Sequence, residues 1–425
     1  TGITDLAMDP ASPHILYAAA YQRRRTVFGY NGAGPSSGLY KTTDGGTTWT
    51  KLEQGLPSGD TGRIGIGIYR KDPNIVYAVI ESDEGGLFRS EDKGETWSRR
   101  TQTNPRPGYY SKIRIDPQND QRIWLLGPSM YTSEDGGKSF RTDLVNRIHG
   151  DFHAMWINPA NSDHVLVGSD GGVHLSFDRG RTWEFVNTMP LGQFYEISFD
   201  MEKPYHIYGG LQDNGIWRGP SRTLYQQGIA NEDWFLLGGG DGTYVQADPT
   251  DASTVYFASQ YGNLQRMNLE TSEVKIIQPK PTEGEEAYRF DWNSPLLISP
   301  HNPQTIYYGG NRLFKSTDRG DTWSATHDLT TDPDRDSMPI MGVVLDETGL
   351  SVHDGTATFG ELTTCTESPL REGLLYVGSD DGNLQVSLDG GTSWKNVSDA
   401  IPGMPKGTYV SRVVASGFAE GRVYA

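Results

Sequence analysis

The 425-residue sequence has a single cysteine, Cys365, so no internal disulfide can staple it and the redox compartment is left open. It has no run of eighteen apolar residues, which excludes insertion into a membrane as a helix. Basic residues are scarce: 37 Lys and Arg stand against 54 Asp and Glu, a formal charge of −17. That deficit excludes a nucleic-acid groove or an anionic membrane surface as partner, since both need clustered cations. Helical periodicity is also missing, which rules out α/β barrels and doubly wound folds. The opening TGITDLAMDP reads as a strand rather than a signal peptide, so the chain is expected to begin within a longer protein.

What the sequence has is aromatics and glycine. Its 22 Tyr, 14 Phe and 10 Trp suffice for a large core, and 52 Gly among them imply many tight turns between short strands. The glycines recur in a pattern. Ser/Thr-x-Asp-x-Gly-x-Thr/Ser-Trp/Phe appears six times: TTDGGTTW, SEDKGETW, SEDGGKSF, SFDRGRTW, STDRGDTW and SLDGGTSW, with aspartates at Asp44, Asp92, Asp135, Asp178, Asp318 and Asp389. The first four lie about 45 residues apart, and the gap from Asp178 to Asp318 is about three such steps, so two repeats there have lost the motif. Upstream segments such as IRIDPQNDQRIWLLG, ISFDMEKPYHIYGG and VQADPTDASTVYFAS mark the first two strands of every repeat. Eight complete repeats and a ninth, SRVVASGFAEGRVYA, that stops after two strands are expected.

Each repeat reads as four antiparallel strands, and that period signals a β-propeller blade. The fold class is therefore all-β, with blades 1–3 expected over 1–145, blades 4–7 over 146–345, and blade 8 with a partial ninth over 346–425. In each motif the aspartate accepts hydrogen bonds from the turn, the glycine supplies a positive φ and the tryptophan packs into a neighbouring sheet, so the motifs are scaffold. Trp124 and Trp156 read as core strand residues.

These motifs resemble the Asp-boxes, or BNR repeats, of sialidases, of tandem-propeller xyloglucan-hydrolysing glycosidases and of sortilin receptors. GDFHAMWINP, GSDGGVHLS, YGGLQDNGIW, GGGDGTYV and YRFDWNSPLLISPHNP further resemble bacterial proteins labelled glycosyl hydrolase or sortilin-like BNR-repeat. The resemblance covers nearly the whole chain. It implies a tandem arrangement of seven-bladed propellers, a secreted or periplasmic location and further blades of the same protein as partners. The sialidase Arg-Ile-Pro motif is missing, Arg289 and Arg412 do not make an arginine triad, and one cysteine cannot form the cysteine-rich module of sortilins.

Blade geometry turns spacing into position. Loops leading into first strands and loops joining second to third strands emerge at one end, and the boxes at the other. The unusual polar residues fall in the first set: His149, Asp151 and His153; Gln193 and Tyr195; Asp241; Arg289, Asp291, Trp292 and Asn293; and, in the second-to-third loops, Asp170, Gln212, Asp213, Asn214, Gln260, Tyr261, Asn311, Asp380 and Asp381. Residues 146–315 are thus expected to present one acidic, aromatic face. A glycoside hydrolase acting on a neutral polysaccharide through two carboxyls would draw on Asp213, Asp241 and Asp291, with Asp151, His153, Asp170, Gln212, Asn214, Trp217, Gln260, Tyr261, Arg289 and Trp292 binding ligand. Trp234 is a further candidate for stacking on sugar. The alternative is a non-catalytic, sortilin-like face that grips a peptide, glycan or protein. The same aspartates could equally cap glycine-rich turns. His149-x-Asp151-x-His153 would offer three ligand-type side chains to a transition metal if the segment is extended, whereas calcium would prefer nearby Asp and Asn oxygens.

Overall fold

The computed structural model describes residues 1–145, 148–186, 188, 191–345 and 349–425. It is built of antiparallel sheets, and the helices among the described residues are four single 3-10 turns. Seven sheets have four strands in blade order, spanning 2–51, 64–101, 152–185, 194–238, 242–276, 296–325 and 362–396. The blade at 112–133 has three strands, with one bridge between Thr132 and Arg141 where the fourth would lie. Val414–Ala415 and Val423–Tyr424 pair as the ninth. Numbered in chain order, these are blades 1 to 9 of β-propeller type.

The chain divides into two compact units, Thr1–Pro190 with Asp336–Thr356, and Leu191–Arg335 with Ala357–Ala425. Blades 1–4 lie in the first and blades 5–9 in the second. The boundaries expected at 146 and 346 fall on residues outside those described.

A single blade has two faces and no interior, so its apolar residues are buried only against the next blade. In the first unit Tyr17, Ala19 and Leu39 of blade 1 pack on Ile64, Ile66 and Phe88 of blade 2. Tyr77, Val79 and Leu87 carry the contact on to Ile113 and Ile123, and Trp124 and Leu126 meet Phe152 and Val167. The second unit repeats the arrangement from Tyr208 and Ile216 against Val255 through to Tyr376 and Leu384 against Val410 and Val413. Trp124 is a core residue as expected, but Trp156 is 49% exposed. It sits between inward-facing Met155 and Ile157, so strand alternation turns it outward, edge-on to His164.

The six boxes share one construction. In blade 2, Ser90 donates to Asp92 Oδ1 (2.7 Å) and accepts from the Gly94 amide (2.8 Å), while the Thr96 amide and hydroxyl both donate to the Asp92 carboxylate. Gly94 has φ 83°, and so does the residue before it depart from the usual region, Lys93 having φ 61°. That left-handed residue turns its amide onto a carbonyl at or just before the start of the second strand: Lys93 onto Asn74 and Gly136 onto Gln121, with Gly45, Arg179, Arg319 and Gly390 doing the same in their blades, at 2.8–3.0 Å. Two boxes also latch blades together. Lys93 reaches the buried Asp9 of blade 1 (3.0 Å), and Arg319 reaches the buried Asp248 of blade 6 (2.9 Å).

Trp97 is 6% exposed and Trp49 40% exposed. Trp97→Ala should therefore cost about 3–5 kcal/mol in equilibrium unfolding, and Trp49→Ala much less, although both occupy the same motif position. The carboxyls of Asp44, Asp92, Asp318 and Asp389 are held down to about 2 by the hydroxyl and amide four residues on. A depressed carboxyl adds stability that is complete above the ordinary value of 3.8 and lost as pH falls toward 2. Denaturant midpoints should fall across that window, and Asp92→Asn should make the fall shallower.

Candidate functional site

The loops leading into first strands and those joining second to third strands meet at one end of each blade. The Gln212 amide donates to Gln193 O, Asn311 to Arg289 O, and Asp380 to Glu361 O, at 2.9–3.0 Å. Asp151, His153 and Asp170 lie in the first unit and form a cluster of their own. His153 Nε2 meets Asp170 Oδ1 at 2.9 Å, the Tyr110 hydroxyl donates to Asp151, and the Tyr110 and His153 rings stack at 5.2 Å. His149, Asp151 and His153 do not converge as metal ligands. Asp151 has φ 61°, so the segment is not extended there and alternate side chains no longer point alike.

The other expected residues lie in the second unit, around two centres. The first is Asp241, 6% exposed, on the residue immediately before the first strand of blade 6. Its Oδ1 accepts the Asp213 amide of blade 5 (3.2 Å), and its Oδ2 accepts the Trp292 indole N–H of blade 7 (3.1 Å) and the Tyr195 hydroxyl (3.3 Å). Trp292 also donates to Tyr195 (3.0 Å), and the Gln260 side-chain oxygen accepts the Asp241 amide (2.9 Å). Burial pushes the Tyr195 phenol up to about 12, with the Asp241 charge adding to it. Tyr261, 47% exposed, stands edge-on to Trp292 at 5.1 Å. Three blades are thus tied through one carboxylate, with an aromatic pair beside it.

Four expected residues are structural ties at this end. Gln212 lends its carbonyl to the Asn214 side chain (3.0 Å), and the Trp217 indole donates to Asn214 O (2.7 Å). Arg289 clamps a loop: it pairs with Asp328 (3.1 Å) and Asp332 (3.0 Å) and donates to the Gly360 carbonyl (3.2 Å). Trp234 lies against Gly219, where an added Cβ would meet its ring at 2.5 Å.

The second centre brings together Asp291, Asp380 and a residue the sequence reading passed over, Glu361. One carboxylate oxygen of each lies within 4.8 Å of the other two. Burial raises all three: the Asn293 amide partly offsets the rise at Asp291, the Arg289 charge partly offsets it at Glu361, which still reaches about 7, and Asp380 reaches about 8. Glu361 immediately precedes the first strand of its blade, as Asp151, Gln193 and Asp241 do in theirs. That shared position was the signal that could have found it. The remaining triad of ligand-type side chains among the described residues, Asp200, Glu202 and His206, is a turn in which Asp200 Oδ2 already accepts His206 Nδ1 (2.9 Å) and the Tyr208 hydroxyl (3.0 Å).

No protein-family model matches the chain. In sequence it is 30% identical over 348 residues to the xyloglucanase Xgh74A of Acetivibrio thermocellus, covering 79% of this chain and 33% of that protein. It is 24% identical over 347 residues to a xyloglucanase of a Paenibacillus species, covering 79% and 27%. Sortilin of Mus musculus is 23% identical over 303 residues, covering 67% and 34%. The chain therefore spans about a quarter to a third of the length of these curated relatives. Among solved structures, a GH74 enzyme of Niastella koreensis aligns over 93% of this chain and 85% of its own, at 13% identity and a TM-score of 0.31. The chain is thus a sequence relative of xyloglucanases and of sortilin, two of the groups its repeated boxes resemble.

Proposed function

We propose that the second unit carries a glycan-processing face, a glycoside hydrolase site for a neutral polysaccharide that uses Asp213 and Asp241. The observation that carries this reading is the Asp213 amide donating to Asp241 Oδ1 at 3.2 Å, which sets two carboxyl residues of neighbouring blades side by side. An aspartate carboxyl lies within about 4 Å of its own nitrogen, so Asp241 Oδ1 stands no more than about 7 Å from the Asp213 carboxyl carbon. Two-carboxylate glycosidases work at separations of about 5–10 Å, one carboxyl giving a proton to the leaving oxygen while the other activates water or attacks.

In this reading Asp241, held by Trp292, Tyr195 and the Asp213 amide, faces the positive charge that develops on the sugar ring, and half-buried Asp213 exchanges the proton. Tyr261 and Trp292 offer the apolar platform on which a sugar face stacks. Relatives named xyloglucanase support a glucan as substrate, and a chain of charge −17 disfavours a polyanionic one. A location outside the cytoplasm and further blades of a longer protein belong to the same reading; no helix among the described residues is long and apolar enough to cross a membrane. Peptide or glycan binding without turnover is the second reading. It is favoured by the low exposure of Asp241 and the full engagement of its oxygens.

The test is release of reducing ends from xyloglucan and other neutral glucans by the full-length protein. Asp213 has φ 61°, a conformation asparagine tolerates, so Asp213→Asn should keep the fold and lower turnover about 10²–10⁴-fold. Trp292→Phe, which removes the donor shared by Asp241 and Tyr195, should cost about 1–3 kcal/mol of stability and weaken glucan binding. Unchanged turnover in Asp213→Asn sinks the two-carboxylate assignment, and saturable glycan binding by a wild type with no turnover establishes the second reading instead.

A further inference from the structure

The trio Asp291, Glu361 and Asp380 is left unused by the hydrolase reading. Its oxygens, each within 4.8 Å of the other two, lie at most about 2.8 Å from a common centre, close to the 2.3–2.6 Å of a calcium–oxygen bond. Glu361 is 0% exposed, and neither of its oxygens has a hydrogen-bond partner, although one of them is a corner of this triangle. It is the one carboxylate among the described residues with buried oxygens left so.

Other buried carboxylates have partners. Asp9 has Lys93, Asp116 has Arg122 and Asp248 has Arg319, each within 3.0 Å, while Glu81, Glu367 and Asp381 accept hydrogen bonds from amides and hydroxyls on both oxygens. Arg289, whose charge acts on Glu361, is already engaged by Asp328 and Asp332. Asp380 receives the Gly360 and Glu361 amides, which orient it without neutralising it. Three acids therefore share a buried space without a counter-charge of their own, an arrangement that is strongly unfavourable unless a cation or protons enter.

We propose that Asp291, Glu361 and Asp380 bind a hard divalent cation, Ca²⁺, at the junction of blades 7 and 8. Three carboxylate oxygens with no nitrogen or sulfur suit calcium and argue against zinc or copper. Half-buried Asp291 gives the ion its way in, and water completes the shell. Because Asp291 leads into blade 7 and the other two belong to blade 8, the ion ties the two loops together and fixes the residue preceding Trp292.

The experiment uses the full chain treated with a chelator and then titrated with CaCl₂, read by thermal unfolding, and with Tb³⁺, read by tryptophan-sensitised luminescence. Wild type should show one saturable site and a rise in Tm of about 5 °C or more at saturation. Glu361→Gln keeps the shape and removes the uncompensated charge, so it should fold and lose both responses. Asp213→Asn should keep both, which separates failure of ion binding from failure of hydrolysis. A wild type whose Tm and luminescence do not respond, or a Glu361→Gln variant that responds fully, overturns the site. A larger shift with Mg²⁺ than with Ca²⁺ overturns the choice of ion.

Discussion

A four-stranded sheet that cannot bury either face alone is the constraint from which the rest of this protein follows. Each blade becomes stable only by lying on the next, which is why Tyr17, Tyr77, Tyr208, Tyr256 and Tyr307, all on second strands, are almost completely inaccessible. The contact is reinforced at the box end, where Lys93 and Arg319 reach buried aspartates of the preceding blade. Fixing one end this way leaves the other free to vary. The loops of that second end differ from blade to blade more than the strand order does, and they carry the polar residues that the scaffold does not need.

Much of this was legible in the sequence because it is local. The box geometry depends on residues within seven positions of one another, and a spacing of that kind survives as a pattern. So do the strand pairs flanking turns such as IDPQ and ADPT. The residue between aspartate and glycine in the box was missed. It is lysine, arginine or glycine, and its left-handed φ becomes meaningful only when its amide is seen on the preceding turn.

The functional end was harder to read for a physical reason. Asp241 gains its partners Asp213, Tyr195 and Trp292 from blades 5 and 7, up to 51 residues away, so no motif records the node. Asp151 illustrates the converse: an extended His-x-Asp-x-His segment looks like a ligand set until a single positive φ disperses it. Trp156 and Trp124 both stand among apolar strand residues, yet one is outward and the other buried, which strand register decides. Glu361 was visible in principle, since it occupies the blade position of Asp241 and Asp151.

In the second unit the box aspartates and the buried Asp248 serve the scaffold, while Asp213, Asp241, Asp291, Glu361 and Asp380 gather at the loop end of blades 5 to 8. An experimental structure of the full-length protein soaked with a xyloglucan-derived oligosaccharide tests this division most directly. The account predicts sugar rings on Tyr261 and Trp292, with a glycosidic oxygen beside Asp213. Sugar bound along the boxes, with the loop end of blades 5 to 8 empty, would contradict it.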